Sequence, residues 1–146
     1  MLISSAKSVV ESDREKLDKL LNYNFSKEWI NETNNILNIY SRTDTYFPNI
    51  AVIVLDSIDN SQVFLGFNRH SFINDRDTVP PQKRNYIRNT TKVERDYLNK
   101  VFHENYNEIR FSASDGKYEL FYPYFKDDKL IILYFSDRQE YGKIGR

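Results

Sequence analysis

Ile50-Ala51-Val52-Ile53-Val54-Leu55 is a continuous apolar run, rich in β-branched residues and without polar alternation. Six residues are too few for a typical independent helix, so the run reads as a strand buried on both faces, hence central in its sheet. The rest of the chain arranges itself around that strand. Asp56 to Ser61 supplies turn residues, and Gln62-Val63-Phe64-Leu65-Gly66-Phe67 follows as the second arm of an antiparallel hairpin.

Upstream, Val9, Val10, Leu17, Leu20 and Leu21, then Phe25, Trp29, Ile30, Ile36, Leu37 and Tyr40, fall at helical spacings. They predict helix from Ser5 to Tyr40 in two pieces, broken at Asn22–Asn24. A capping box at Ser12-Asp13-Arg14-Glu15 and a cap at Ser26 fix the phase. Downstream, residues 68–90 carry little periodicity and read as a long loop, a class that is often functional. Thr91-Lys92-Val93-Glu94 is a second capping box, opening a helix to about His103 with Val93, Tyr97, Val101 and Phe102 as its stripe. Three strands close the chain, Glu108–Ala113, Tyr118–Phe125 and Leu130–Phe135, joined by turns at Asp115-Gly116 and Asp127-Asp128.

The fold expected is therefore α+β: one domain over 1–146, with an N-terminal helical segment (1–41), a sheet core (47–136) and an exit tail (137–146). Three final strands in a meander, reached through a crossover helix, bring the last strand beside the first. This gives five antiparallel strands in the order 2-1-5-4-3, with helices expected at one face.

Composition narrows the function. The chain has no cysteine, which removes disulfides, thiolate metal sites, Cys nucleophiles and covalent haem attachment. Its 21 basic and 21 acidic residues cancel, and with a pI near 6.7 no nucleic-acid partner is expected. No run approaches the roughly 20 apolar residues of a membrane helix, and Met1–Val10 lacks the features of a signal peptide. Walker, nucleophile-elbow, His-Glu-x-x-His and dinucleotide motifs are missing, so an enzyme is not the expectation. A small hydrolase or nuclease built on His70, His103 and Arg84 or Arg88 is an alternative that nothing in the sequence assembles.

The order of elements resembles the PAS-like Cache sensory domains of bacterial histidine kinases and chemoreceptors, across about the whole chain. Arg88-Asn89, Glu94 with Leu98, Asp115-Gly116, Tyr122-Pro123 and Tyr141-Gly142 with Gly145 are similar to the haem-associated branch of those sensors. That branch has proline where Thr90 stands here, and a Cys-x-x-Cys-His site that this chain lacks. The resemblance implies a ligand-sensing domain in the extracytoplasmic part of a membrane receptor, otherwise a cytoplasmic one, with non-covalent haem as the cofactor to test and none required. It also implies a parent anchored in the membrane. A homodimer through the N-terminal helices is expected, since a helix longer than its sheet leaves apolar surface uncovered. Profilin-like interaction domains share much of the element order and stand as an alternative.

Candidate ligand contacts follow from charge and aromaticity. Residues 69–95 hold seven basic and three acidic groups, among them Arg69, Arg76, Arg84 and Arg88, with His70 and Tyr86 in the same loop. Arginine forks bind carboxylates bidentately, which points to a small anionic or polar organic molecule. The plainer account of the same charges is a solvated face with local ion pairs. By strand alternation Tyr118, Tyr122 and Tyr124 share one face, which is expected to lie opposite this loop and line an enclosed pocket with it.

Overall fold

β1 (Asn49–Ile58) lies between β2 (Ser61–Asn68) and β5 (Lys129–Arg138), with Leu55 opposite Phe64 on one side and Ile53 opposite Ile132 on the other. β4 (Lys117–Lys126) pairs with β5, and β3 (Arg110–Ser114) with β4. All four pairings are antiparallel and the order is β2-β1-β5-β4-β3, as the sequence implies. This computed structural model describes residues 6–8, 10, 11, 14–43, 49–76 and 78–138. The Ser12-Asp13 cap and the Tyr141 to Gly145 stretch lie outside the described residues.

Each hairpin turns on two residues held at positive φ: Asp59-Asn60, Asp115-Gly116 and Asp127-Asp128. Left-handed backbone at both turn positions matches the twist of the flanking strands, and Asp, Asn and Gly tolerate it best.

Two helices, α1 (Arg14–Leu21) and α2 (Lys27–Thr43), flank the expected break. Ser26 Oγ accepts the Trp29 amide at 3.1 Å to cap α2, and Trp29 Nε1 donates to the last turn of α1 through the Leu20 carbonyl at 3.3 Å. Their apolar stripes, Leu17, Leu20 and Leu21, then Trp29, Ile30, Ile36, Leu37 and Tyr40, are buried in a core with Ile50, Val52, Val54, Leu65, Phe67, Leu120 and Phe135. Each such side chain contributes roughly 1.5–3 kcal/mol on burial. Of the large apolar residues of α2, Ile39 stands out at 36% exposure. Among the described residues no helix is long and apolar enough to cross a membrane.

The helices are not confined to one face. α3 (Lys92–Glu104) lies on the opposite face and buries Tyr97, Leu98 and Val101 against Ile53, Phe121, Ile132 and Tyr134. The cause lies in the central strand. A central strand with both Val52 and Ile53 at 0% exposure needs cover on both sides, and Tyr97, Leu98 and Val101 of α3 supply it on the second face, whereas Val93 of the expected stripe is 59% exposed.

The β2–α3 connection also departs from expectation. It does not roof the sheet. From Asn68 it runs beside α2, makes a 3₁₀ turn at Lys83–Tyr86, and packs Tyr86 on Phe25 and Phe67 with ring centroids 5.7 and 4.9 Å apart. It then follows the outer edge of β2, where Ile87 bridges to Leu65 and the Arg88 amide donates to the Phe64 carbonyl at 2.9 Å. Only after that does the Arg88 side chain reach the α3 face.

Candidate functional site

Thr91 caps α3 as expected, its Oγ1 accepting the Glu94 amide at 3.2 Å. The second half of the capping box is absent, because the Glu94 carboxylate turns to Arg88 instead. Arg88 Nε and Nη2 donate to Glu94 Oε2 and Oε1 at 2.9 and 3.1 Å, a two-pronged pair with both side chains largely buried. A capping contact to one backbone N–H offers a buried carboxylate less than a guanidinium with two donors. Burial works against the Arg88 charge, and Glu94 more than offsets it, so its pKa lies above the ordinary value.

The guanidinium also lies over the Tyr134 ring, 4.2 Å from its centroid, and 5.8 Å from that of Phe121. The Tyr134 hydroxyl donates to Glu119, and Lys117 Nζ stands 3.7 Å from Glu119 Oε2. Burial, reinforced by the Glu119 carboxylate, pushes Tyr134 up to about 12. A polar chain thus runs Glu94, Arg88, Tyr134, Glu119, Lys117 across the end of the sheet.

Beside this chain is an open cleft of about 420 Å³, floored by Ala51 and Gly66 and walled by Asn68, Asn85, Arg88, Asn89, Lys117 and Tyr134. Two further depressions adjoin it through Asn85 and Tyr86: one of about 470 Å³ reaching His70 and Phe72, one of about 380 Å³ reaching Arg76, Pro80 and Pro81. All three are open clefts where an enclosed pocket was expected. Gly66 is what gives the first its depth, since a Cβ there would meet only Arg88 Cβ, at 3.8 Å.

Of the residues singled out in sequence, His70, Arg76, Tyr86 and Arg88 line these depressions. Arg84 is exposed, and Arg69 is half-buried with its Nε lacking a hydrogen-bond partner among the described residues. The tyrosines are not brought to the loop. Tyr122 and Tyr124 belong to the core under α1 and α2, where the Tyr124 hydroxyl donates to Asp18 Oδ1 at 2.9 Å. Tyr118 shares their side of the strand and stacks on Phe111. The strand parity was legible; which side the connection would cross to was not.

Sequence reasoning missed Lys117, Glu119 and Tyr134, which alternation alone could have placed on the Phe121 face. It also missed three asparagines on α2, Asn31, Asn34 and Asn38. Asn34 is 4% exposed in a helix interior, a place where this residue is a poor helix former and is kept only with a specific partner. Their spacing of three and four residues was the available signal.

A second polar cluster fastens the helix break. Asp56 accepts from the Tyr23 hydroxyl, from Lys83 Nζ at 2.9 Å and from the Ser57 amide at 2.7 Å. Burial, the largest single influence, raises the Asp56 carboxyl, yet these three donors together hold it below the ordinary carboxylate range. Among the described residues no group of three His, Asp or Glu side chains is placed to hold a metal ion. No family model matches the chain, and no curated protein or solved structure matches it.

Proposed function

We propose that the chain is a PAS-like, Cache-type sensory domain of a bacterial histidine kinase or chemoreceptor, and that it binds a small polar or anionic organic molecule in the cleft between Gly66, Arg88 and Tyr134. The observation that carries the reading is the convergence of Arg88, Lys117, Asn68, Asn85 and Asn89 on a part of the sheet that α3 leaves uncovered. Paired charges and amide side chains at a concave surface fix the orientation of a small polar ligand. The sheet order 2-1-5-4-3, with N-terminal helices on the opposite face, supports the sensory assignment.

Haem does not fit these residues. His70, which lines one of these depressions, is exposed on a turn among Asn68, Ser71 and Asn85, where a porphyrin would need an apolar slot. His103 is exposed in the last turn of α3, and none of the three depressions brings it together with His70.

A thermal-shift series with succinate, citrate, glutamate, alanine and haem tests the reading. A ligand at a hundredfold excess over its Kd stabilises by about 2.7 kcal/mol. Succinate, citrate or an amino acid should raise the melting temperature, and Gly66→Val, whose methyls enter the cleft, should abolish the rise while the far-ultraviolet spectrum stays unchanged. A rise with haem alone, or an undiminished rise in Gly66→Val, overturns the assignment.

A further inference from the structure

The β2–α3 connection is fastened on both sides of the sheet. On one side it is gripped by α2. Asn31 Nδ2 donates to the Ile73 carbonyl at 3.0 Å while Asn31 Oδ1 accepts the Ile73 amide at 2.7 Å. Asn38 Nδ2 donates to the Arg69 carbonyl at 3.1 Å, and Asn34 Nδ2 to that of Asn68 at 3.4 Å. Lys27 to Asp75 at 3.1 Å and Lys83 to Asp56 at 2.9 Å extend the same seam. On the other side the fastening is Arg88, forked onto Glu94 and laid over Tyr134.

From Pro80 to Ile87 the chain has little slack. Pro80-Pro81 locks two φ angles, and the 3₁₀ turn at Lys83–Tyr86 leads directly to the edge bridge at Ile87. A stiff connector passes displacement along where a flexible one would absorb it.

We propose that this connection is a strap joining the cleft face to α2, so that release of Arg88 from Glu94 and release of residues 68–73 from the asparagines occur as a single opening. Anything that draws Arg88 off Glu94 in the cleft then loosens α2 on the far side. The proposal relies on the sensory reading only for its natural input, and its test uses no ligand.

Two amides report the two fastenings: Ile73, held by Asn31, and Arg88, held by Phe64. Hydrogen exchange of both is followed by NMR on the full chain, with the Val52 and Ile132 amides of the central strands as the measure of global unfolding. Coupling is reciprocal and typically amounts to about 5- to 150-fold. Glu94→Gln should therefore speed exchange at Ile73, and Asn38→Ala at Arg88, each by at least about fivefold beyond any change at Val52 and Ile132. Inserting Gly-Gly-Ser after Val79, which is 69% exposed, should cancel both remote effects and keep the local ones. Should that insertion unfold the chain, the double change Pro80→Gly with Pro81→Gly serves instead. Variants that loosen only their own side, remote effects that merely follow Val52 and Ile132, or remote effects that survive the slackened connector each overturn the strap. A chain that binds nothing in the thermal series leaves this result intact, and loss of reciprocity leaves binding intact.

Discussion

The Arg88 guanidinium lies 4.2 Å from the centre of the Tyr134 ring while both of its prongs are engaged by Glu94. One side chain thereby joins the β2–α3 connection, the first turn of α3 and the last strand. Lysine has the charge without the fork or the flat face. Arg88→Lys and Arg88→Ala are both expected to cost about 1.5–3 kcal/mol, the range for hydrogen bonds to charged groups. Urea unfolding with an unchanged m-value checks this, and a loss under about 0.5 kcal/mol would mean that the pair is merely a surface contact.

Phe67 sits at the centre of the aromatic cluster, 4.9 Å from both Trp29 and Tyr86 and 6.1 Å from Tyr23. It is fully buried. Phe67→Ala should cost about 3–5 kcal/mol through lost burial and the cavity left behind. Against the 5–15 kcal/mol of an ordinary domain this is a large fraction, and a lowered urea midpoint measures it.

Asp56 has its folded pKa held below the ordinary value, so its contribution is complete above about pH 4 and is lost as the pH falls through the folded value. Asp56→Asn keeps the shape, removes the charge from Lys83 and should cost about 1–3 kcal/mol at neutral pH. Stability measured from pH 6 to 2 is expected to fall less steeply in the variant than in the parent. Parallel curves would mean that other carboxylates govern the acid limb.

Tyr134 is displaced in the other direction. Its pKa of about 12 lies above the usual value near 10, so it stabilises the folded state below pH 10 and ceases to do so as the pH rises toward 12. Tyr134→Phe removes that part of the alkaline loss. Tyr23, Tyr86, Tyr97, Tyr122 and Tyr124, all raised chiefly by burial, keep the remainder, so the alkaline limb should become shallower without vanishing. An unchanged limb in Tyr134→Phe contradicts the assignment.

The sequence by itself determined the element order, the central place of Ile50–Leu55, the helix break near Asn22 and the turns at Asp115-Gly116 and Asp127-Asp128, while the first turn, read over Asp56 to Ser61, tightens to Asp59-Asn60 because β1 runs on to Ile58. These are local matters: side-chain period, cap chemistry and tolerance of left-handed backbone act within a few residues. It also determined the strand order, because a meander reached by one crossover leaves few ways to pair five strands. Only the tertiary structure decided which face each helix covers, why the tyrosines of β4 and the arginines of the connection never meet, and that Glu94 serves Arg88 in preference to the backbone of its own helix. Those outcomes rest on competition between partners distant in sequence. A carboxylate takes the donor that best offsets its burial, an asparagine in a helix interior stays where a loop carbonyl needs it, and a two-sided strand draws cover to both faces.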